Sequence, residues 1–137
     1  MCALVKEFLL IAALTCVGAA LSIGTKRAQA PWALPELGPG EILAIDARSL
    51  DPIWVDARSE EAFAEAHIAD ALHMNEATWE TGLFDLMDRW LETPRPIIVY
   101  CSDAGCSTSK KIAAQLREAL PDAEIYTLNG GWASWQP

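Results

Sequence analysis

Residues Pro96 to Lys111 constrain this chain more than any other stretch. A short apolar run, Pro96-Ile97-Ile98-Val99-Tyr100, ends on Cys101. Small residues follow, Ser102-Asp103-Ala104-Gly105-Cys106, and Ser107-Thr108-Ser109 opens a helical pattern. A β-branched run bounded by a turn reads as a buried strand. Ile112, Leu116 and Leu120 recur every fourth residue with Ala113 on the same face, which predicts an amphipathic helix from about Ser107. A thiol therefore stands where a strand ends and a helix N-terminus points back at it. Unpaired helix N–H groups and the positive end of the helix dipole favour a thiolate there, lowering the thiol's pKa. A tight loop can add further N–H donors for an anion, here from Ser102, Asp103, Ala104, Gly105, Cys106 and Ser107.

The rest of the chain supplies elements that fit around this unit. Glu41 to Leu50 is predicted as a short helix with Ile42, Ile45 and Leu50 inward, and Ile53-Trp54-Val55 as a strand leading to Asp56-Ala57-Arg58. Ser59 is a favoured N-cap for a helix to about Ala66, with Glu60 and Glu61 near its positive end. Leu72-His73-Met74 reads as another strand. Trp79, Leu83, Phe84, Met87, Trp90 and Leu91 suggest the inner face of a helix from about Ala77 to Leu91. Pro121-Asp122 ends the helix after the cysteine loop, Ile125 to Leu128 is a further strand, and Asn129-Gly130-Gly131 is a turn. Strands alternating with helices predict an α/β domain with a mainly parallel sheet, whose ligand crevice lies at the carboxyl ends of the strands. Asp-Ala-Arg-Ser occurs at 46–49 and again at 56–59, a spacing too short for a repeat unit, and is read as coincidence.

The first thirty residues stand apart. Phe8 to Thr25 is an uncharged run of eighteen residues between Lys6 and Lys26-Arg27, a length that suits a membrane span or a signal segment. Ala28-Gln29-Ala30 resembles a cleavage site, but Lys26 and Arg27 would fall before the cut, so an uncleaved single-pass anchor over residues 1–30 is favoured. Cleavage would instead give a secreted domain. One basic residue before the span and two after leave the side of the membrane open, with the extracytoplasmic side favoured. Pro31 to Gly40 holds three prolines and two glycines and reads as a linker, and residues 41–137 form the domain. From Pro31 onward there are seven Lys or Arg against eighteen Asp or Glu, a net charge of 7 − 18 = −11. Such a surface repels nucleic acid and directs attention to small molecules or proteins. Only Cys101 and Cys106 of the four cysteines lie in the domain, a CxxC spacing is absent and there are two histidines, so neither a structural metal nor an organic cofactor is implied.

Several pieces occur in a familiar order: Trp54-Val55-Asp56-Ala57-Arg58, Phe63 with Ala66-His67-Ile68 and Ala71, Val99-Tyr100-Cys101, Ser107, and Leu128 to Trp135. On these residues the chain resembles the single-domain rhodanese-like (sulfurtransferase) family from about Glu41 to Trp135. The resemblance implies a small domain with a central parallel sheet and flanking helices, and transfer of sulfane sulfur through a persulfide on Cys101. Its partners would be a small sulfur donor or a thiol protein. Three departures stand out. The loop arginine five residues after the cysteine is replaced by Cys106, the glycine three after it by Ala104, and a Pro-Gly pair by Ala69-Asp70. An arginine would hold a doubly charged donor by bidentate hydrogen bonds, so thiosulfate is not expected to be the best donor; Lys110 and Lys111 are partial substitutes at most.

Cys106 has two readings, a resolving thiol able to form a disulfide with Cys101 or a small residue filling the space of the missing arginine. Asp56, Arg58 and His67 are expected to be structural supports, Asp56 bonding N–H groups near the loop, Arg58 pairing with an acidic neighbour, and His67 packing and hydrogen-bonding. Trp132 and Trp135 are core or groove-wall aromatics, and Gly130-Gly131 supplies positive φ angles. A cysteine phosphatase or arsenate reductase would need a longer loop ending in arginine, whereas position 107 is Ser. The alternative to a sulfurtransferase is a catalytically weak or inactive binding or scaffold domain tethered to the membrane.

Overall fold

The computed structural model describes residues 35–103 and 105–136; the expected anchor, residues 31–34 of the linker and Ala104 lie outside the described residues. In chain order the strands are β1 (Glu41–Ile42), β2 (Ile53–Asp56), β3 (Leu72–His73), β4 (Ile97–Tyr100) and β5 (Ile125–Leu128). The helices are α1 (Ala44–Ala47), α2 (Glu60–Glu65), α3 (Trp79–Glu92), α4 (Thr108–Ala119) and α5 (Gly131–Trp135). The strands form one sheet in the order β1-β5-β4-β2-β3, and every neighbouring pair is parallel. An α/β domain with a parallel sheet flanked by helices is therefore what these residues build. Among the described residues no helix is long and apolar enough to cross a membrane.

Strand alternation explains the layers. Successive side chains of a strand point to opposite faces, so a strand covered on both sides is apolar throughout. All four residues of β4 are buried, Ile97 and Val99 on one face, Ile98 and Tyr100 on the other. The first face joins Ile53 and Val55 to Leu86 of α3 and to Ile112, Ala113 and Leu116 of α4. The second joins Trp54 and Leu128 to Ala47 of α1 and packs against Trp132 and Trp135 of α5. The inward face of α4 is the one its spacing predicts.

Two helices differ from the sequence reading: α1 turns another face inward, and in α3 Trp79, Leu83, Met87 and Trp90 pack against the core as expected while Phe84 and Leu91 do not. In α1 the buried residue is Ala47, while Ile45 is 72% exposed and Leu50 is also exposed. The chain first spends Glu41 and Ile42 pairing with Thr127 and Leu128 of β5, which leaves one helical turn. Ile45 is two residues from Ala47, roughly 200° around the helix, and must point outward. The same geometry governs α3, where Leu86 is buried and Phe84, two residues earlier, is 72% exposed; Leu91 is exposed as well. The two Asp-Ala-Arg-Ser segments have unrelated surroundings, Asp46 lying in α1 and Asp56 ending β2. The structure also has a short helix, α5, where the sequence suggested only a turn; Gly130 and Gly131 precede and open it with φ of 77° and 55°.

Leu86→Ala should cost about 2–5 kcal/mol of stability through the cavity it leaves, and Phe84→Ala less than about 0.5 kcal/mol. Urea unfolding of both variants checks this facing of α3; equal losses would contradict it.

Candidate active site

β4 delivers Cys101 to the carboxyl edge of the sheet, and Ser107 leads into α4 from the far side of the loop. Between them the loop turns on Asp103. Its carboxylate Oδ1 accepts the Gly105 N–H at 2.7 Å, and its carbonyl accepts the Cys106 N–H at 3.3 Å. Asp favours such turns because its side chain bonds the backbone two residues on. The turn brings Cys106 back over Cys101, and the two are joined in a disulfide with a Cα–Cα distance of 6.2 Å, inside the usual range of about 4.4–6.8 Å.

This arrangement corrects two expectations. Cys101 is not an open thiolate here: it is bonded to Cys106 and only 4% exposed. Nor are all the loop amides available to an external anion, because Asp103 already occupies those of Gly105 and Cys106. The loop thus holds an internal carboxylate where the resemblance had a cation. Lys110 and Lys111 do not replace that cation either. Lys110 pairs with Glu41 at 2.8 Å, and Lys111 with Glu76. The cavity beside Cys106, lined in part by Asp103, Ser109, Asn129 and Gly130, measures about 10 Å³, room for one water at most.

The start of α5 clamps the loop. The Trp132 N–H donates to the Cys101 carbonyl at 2.7 Å and the Ala133 N–H to the Ser102 carbonyl at 3.2 Å. A Cβ on Gly131 would lie 2.5 Å from the Cys101 carbonyl oxygen, so this close approach, with φ at 55°, requires glycine.

Beneath the clamp lies a buried ion pair. Asp56 aligns with Tyr100 across the β2–β4 ladder and has no exposed surface. Its carboxylate accepts the Arg58 backbone N–H at 2.9 Å and the Arg58 guanidinium at 2.7–3.1 Å. Asp56 therefore serves Arg58 rather than the loop amides, and the acidic neighbour expected for Arg58 is Asp56 itself. The guanidinium also donates to the Ala66 carbonyl at 2.6 Å and lies 4.6 Å from the Trp132 ring centre and 5.5 Å from that of Tyr100. Hydrogen bonding to Asp56 raises the Arg58 pKa above its ordinary value. Burial pushes the Tyr100 phenol up, so it stays protonated, and its oxygen accepts the Ile68 N–H at 3.1 Å. His67 stands outside this group, exposed, stacked on Phe63 at 4.0 Å and bonded through Nδ1 to the Phe63 carbonyl.

Sequence reasoning missed Glu41 and Asn129. Glu41 accepts from Lys110, from the Gly38 N–H at 2.9 Å and from Asn129 at 3.0 Å, tying the start of the domain to α4 and to the turn before α5. Glu41 belongs to no motif and Asn129 was read only as part of a turn; the β1–β5 pairing brings them together.

Residues 37–137 match the Rhodanese-like domain family, and the chain belongs to it. Among curated relatives, it is 29% identical over 86 residues to the thiosulfate sulfurtransferase GlpE of Coxiella burnetii, covering 63% of this chain and 73% of that protein. Among solved structures, the BH2092 protein from Bacillus halodurans is 28% identical with a TM-score of 0.54, covering 69% of each chain. A thiosulfate sulfurtransferase from Pseudomonas aeruginosa shares the fold at 18% identity and a TM-score of 0.54, covering 80% of this chain and 20% of that one.

Two outcomes follow from the site. Arg58→Met strands the buried Asp56 charge and should cost about 3–5 kcal/mol; adding Asp56→Asn should recover part of that loss in urea unfolding. Glu41 is held from 4.5 down to about 2, first by its hydrogen bond with Lys110, then by those with Gly38 and Asn129. A carboxylate depressed in the fold stabilises above its unfolded pKa and loses that contribution as pH falls through the folded one. Glu41→Gln should therefore be less stable than the parent at neutral pH, and unfolding midpoints should show the gap closing between pH 4.5 and 2.

Proposed function

We propose that this domain carries sulfane sulfur as a persulfide on Cys101 and that Cys106 resolves it. The observation that carries the reading is the placement of both sulfurs: Cys101 at the carboxyl end of β4, before the start of α4, and Cys106 within bonding distance on the same loop. In the reduced form the Cys101 thiolate attacks the outer sulfur of a donor RS–SH, displacing RS⁻ and forming Cys101–S–SH. The Cys106 thiol then attacks the Cys101 sulfur. The Cys101–Cys106 disulfide forms, the two thiol sulfurs are oxidised, and the outer sulfur leaves as HS⁻ with the two electrons. A dithiol, protein or small molecule, reduces the disulfide and restores both thiols. The disulfide described above is the product side of this cycle.

Donor preference follows from charge. Asp103 within the loop and the pairing of Lys110 and Lys111 with carboxylates disfavour a dianion, so persulfides and polysulfides are better donors than thiosulfate. Residues 1–30 are proposed as a single-pass anchor and residues 31–40 as a linker, on the apolar run and the proline-glycine composition; the domain proper runs over 41–137, extracytoplasmic by preference.

The test is intact mass analysis of the reduced full chain after exposure to glutathione persulfide, polysulfide and thiosulfate, with hydrosulfide measured alongside. The parent should release hydrosulfide and end as the disulfide, Cys106→Ser should accumulate one added sulfur, and Cys101→Ser should do neither. Absence of an adduct on Cys106→Ser with every donor would leave a scaffold domain in place of an enzyme.

A further inference from the structure

We infer that this domain has a second binding site, for a small organic anion, at the end of the sheet opposite the thiols. A cavity of about 420 Å³ is lined by Pro52 and Ile53 at the start of β2 and by Arg95, two residues before β4. Because β2 and β4 run parallel, both strand starts lie at the amino edge of the sheet. Six residues of nearly extended chain separate Arg95 from Cys101, about 20 Å at ~3.3 Å per residue. This cleft is a place of its own.

Its charge is out of keeping with the rest of the domain. The segment from Pro31 carries seven basic and eighteen acidic residues, yet three of those seven, Arg48, Arg89 and Arg95, line this one cleft. The acidic lining residues are Asp51 and Asp70, so the local balance is 3 − 2 = +1 against −11 overall. The three guanidiniums come from separate places, the end of α1, the last turn of α3 and the loop before β4. Convergence of like charges is unfavourable unless something offsets it.

What offsets it within the chain is incomplete. Arg48 donates to the Trp135 carbonyl, Arg89 to the Asp70 carbonyl at 2.9 Å, and Arg95 to Asp51 at 2.9 Å through Nη1. Each bond engages one nitrogen of a group that has five N–H donors. The Asp51 carboxylate is 89% exposed and so is a weakly held partner. Nε of Arg95 is buried and has no partner among the described residues. That nitrogen is closed off from solvent, so a ligand in the cleft meets the Nη groups of Arg95, whose side chain is 33% exposed.

The apolar wall narrows the ligand. Trp135 lies 4.7 Å from Trp54, ring centre to ring centre, and both line the cleft. The Arg48 guanidinium stacks 4.1 Å over the Trp135 ring, and Leu50 adds aliphatic surface. Arginines recognise planar oxyanions by paired N–H donors, and aromatic walls take flat apolar bodies. The class that meets both demands is a carboxylate or phosphate carried on a flat apolar group.

The test uses the full chain in a non-ionic detergent and follows the arginine Nε–Hε resonances by NMR at constant ionic strength. Benzoate and phenyl phosphate are the probes; acetate and inorganic phosphate are their counterparts without the apolar body. The Arg95 resonance should shift saturably with the aromatic anions, about tenfold more tightly than with the bare ones, and that of Arg117 should stay in place. Whichever aromatic probe binds more tightly identifies the acidic group. Arg95→Lys, which keeps the charge but loses the fork, should weaken binding by about tenfold, with the persulfide reaction of Cys101 unaltered. No saturable shift at Arg95, equal movement of Arg117, or equal affinity for the bare anions would overturn the assignment.

Discussion

The Asp56–Arg58 pair is the interaction on which the cysteine loop depends. Two charges withdrawn from water are costly unless their hydrogen bonds are filled, and here they are. Asp56 takes a backbone N–H and the guanidinium, and Arg58 takes a second acceptor in Ala66. The pair therefore ties the end of β2 to the chain after α2, and its guanidinium lies against Trp132 and Tyr100. Trp132 in turn holds the Cys101 carbonyl. A continuous set of contacts runs from a buried carboxylate to the backbone of Cys101, without touching its sulfur.

The loop itself shows how a fold can be kept while its electrostatics are inverted. An arginine at position 106 would face an incoming dianion with a cation, whereas Cys106 offers a second sulfur and Asp103 a carboxylate that accepts the Gly105 N–H. Local structure and chemistry change together. The Asp103 turn that consumes the amides is the same turn that brings Cys106 to Cys101.

Much of this architecture was legible from residue order. The β4–loop–α4 unit stands out because its period changes from two to nearly four across a run of small residues, and Ile112, Ala113, Leu116 and Leu120 are all buried as that period requires. Gly130 and Gly131 have the positive φ angles expected of them. What was not legible depended on partners distant in sequence. β1 exists because β5 offers Glu41 and Ile42 a ladder. The edges of the inward face of α3 are set by Leu86 reaching the core, since Phe84 and Leu91 are equally apolar and spacing alone cannot rank them. Asp70 shows a third case. It takes a left-handed conformation, φ 61°, where the resemblance has glycine, a conformation that Asp tolerates better than most residues.

The sheet ends on both sides in strands of only two residues, β1 and β3. Unpaired backbone on an outer strand is where neighbouring chains join sheets and aggregate, and very short outer strands limit that hazard. Trimming both margins to two rungs leaves neighbouring copies of the domain little to zip together.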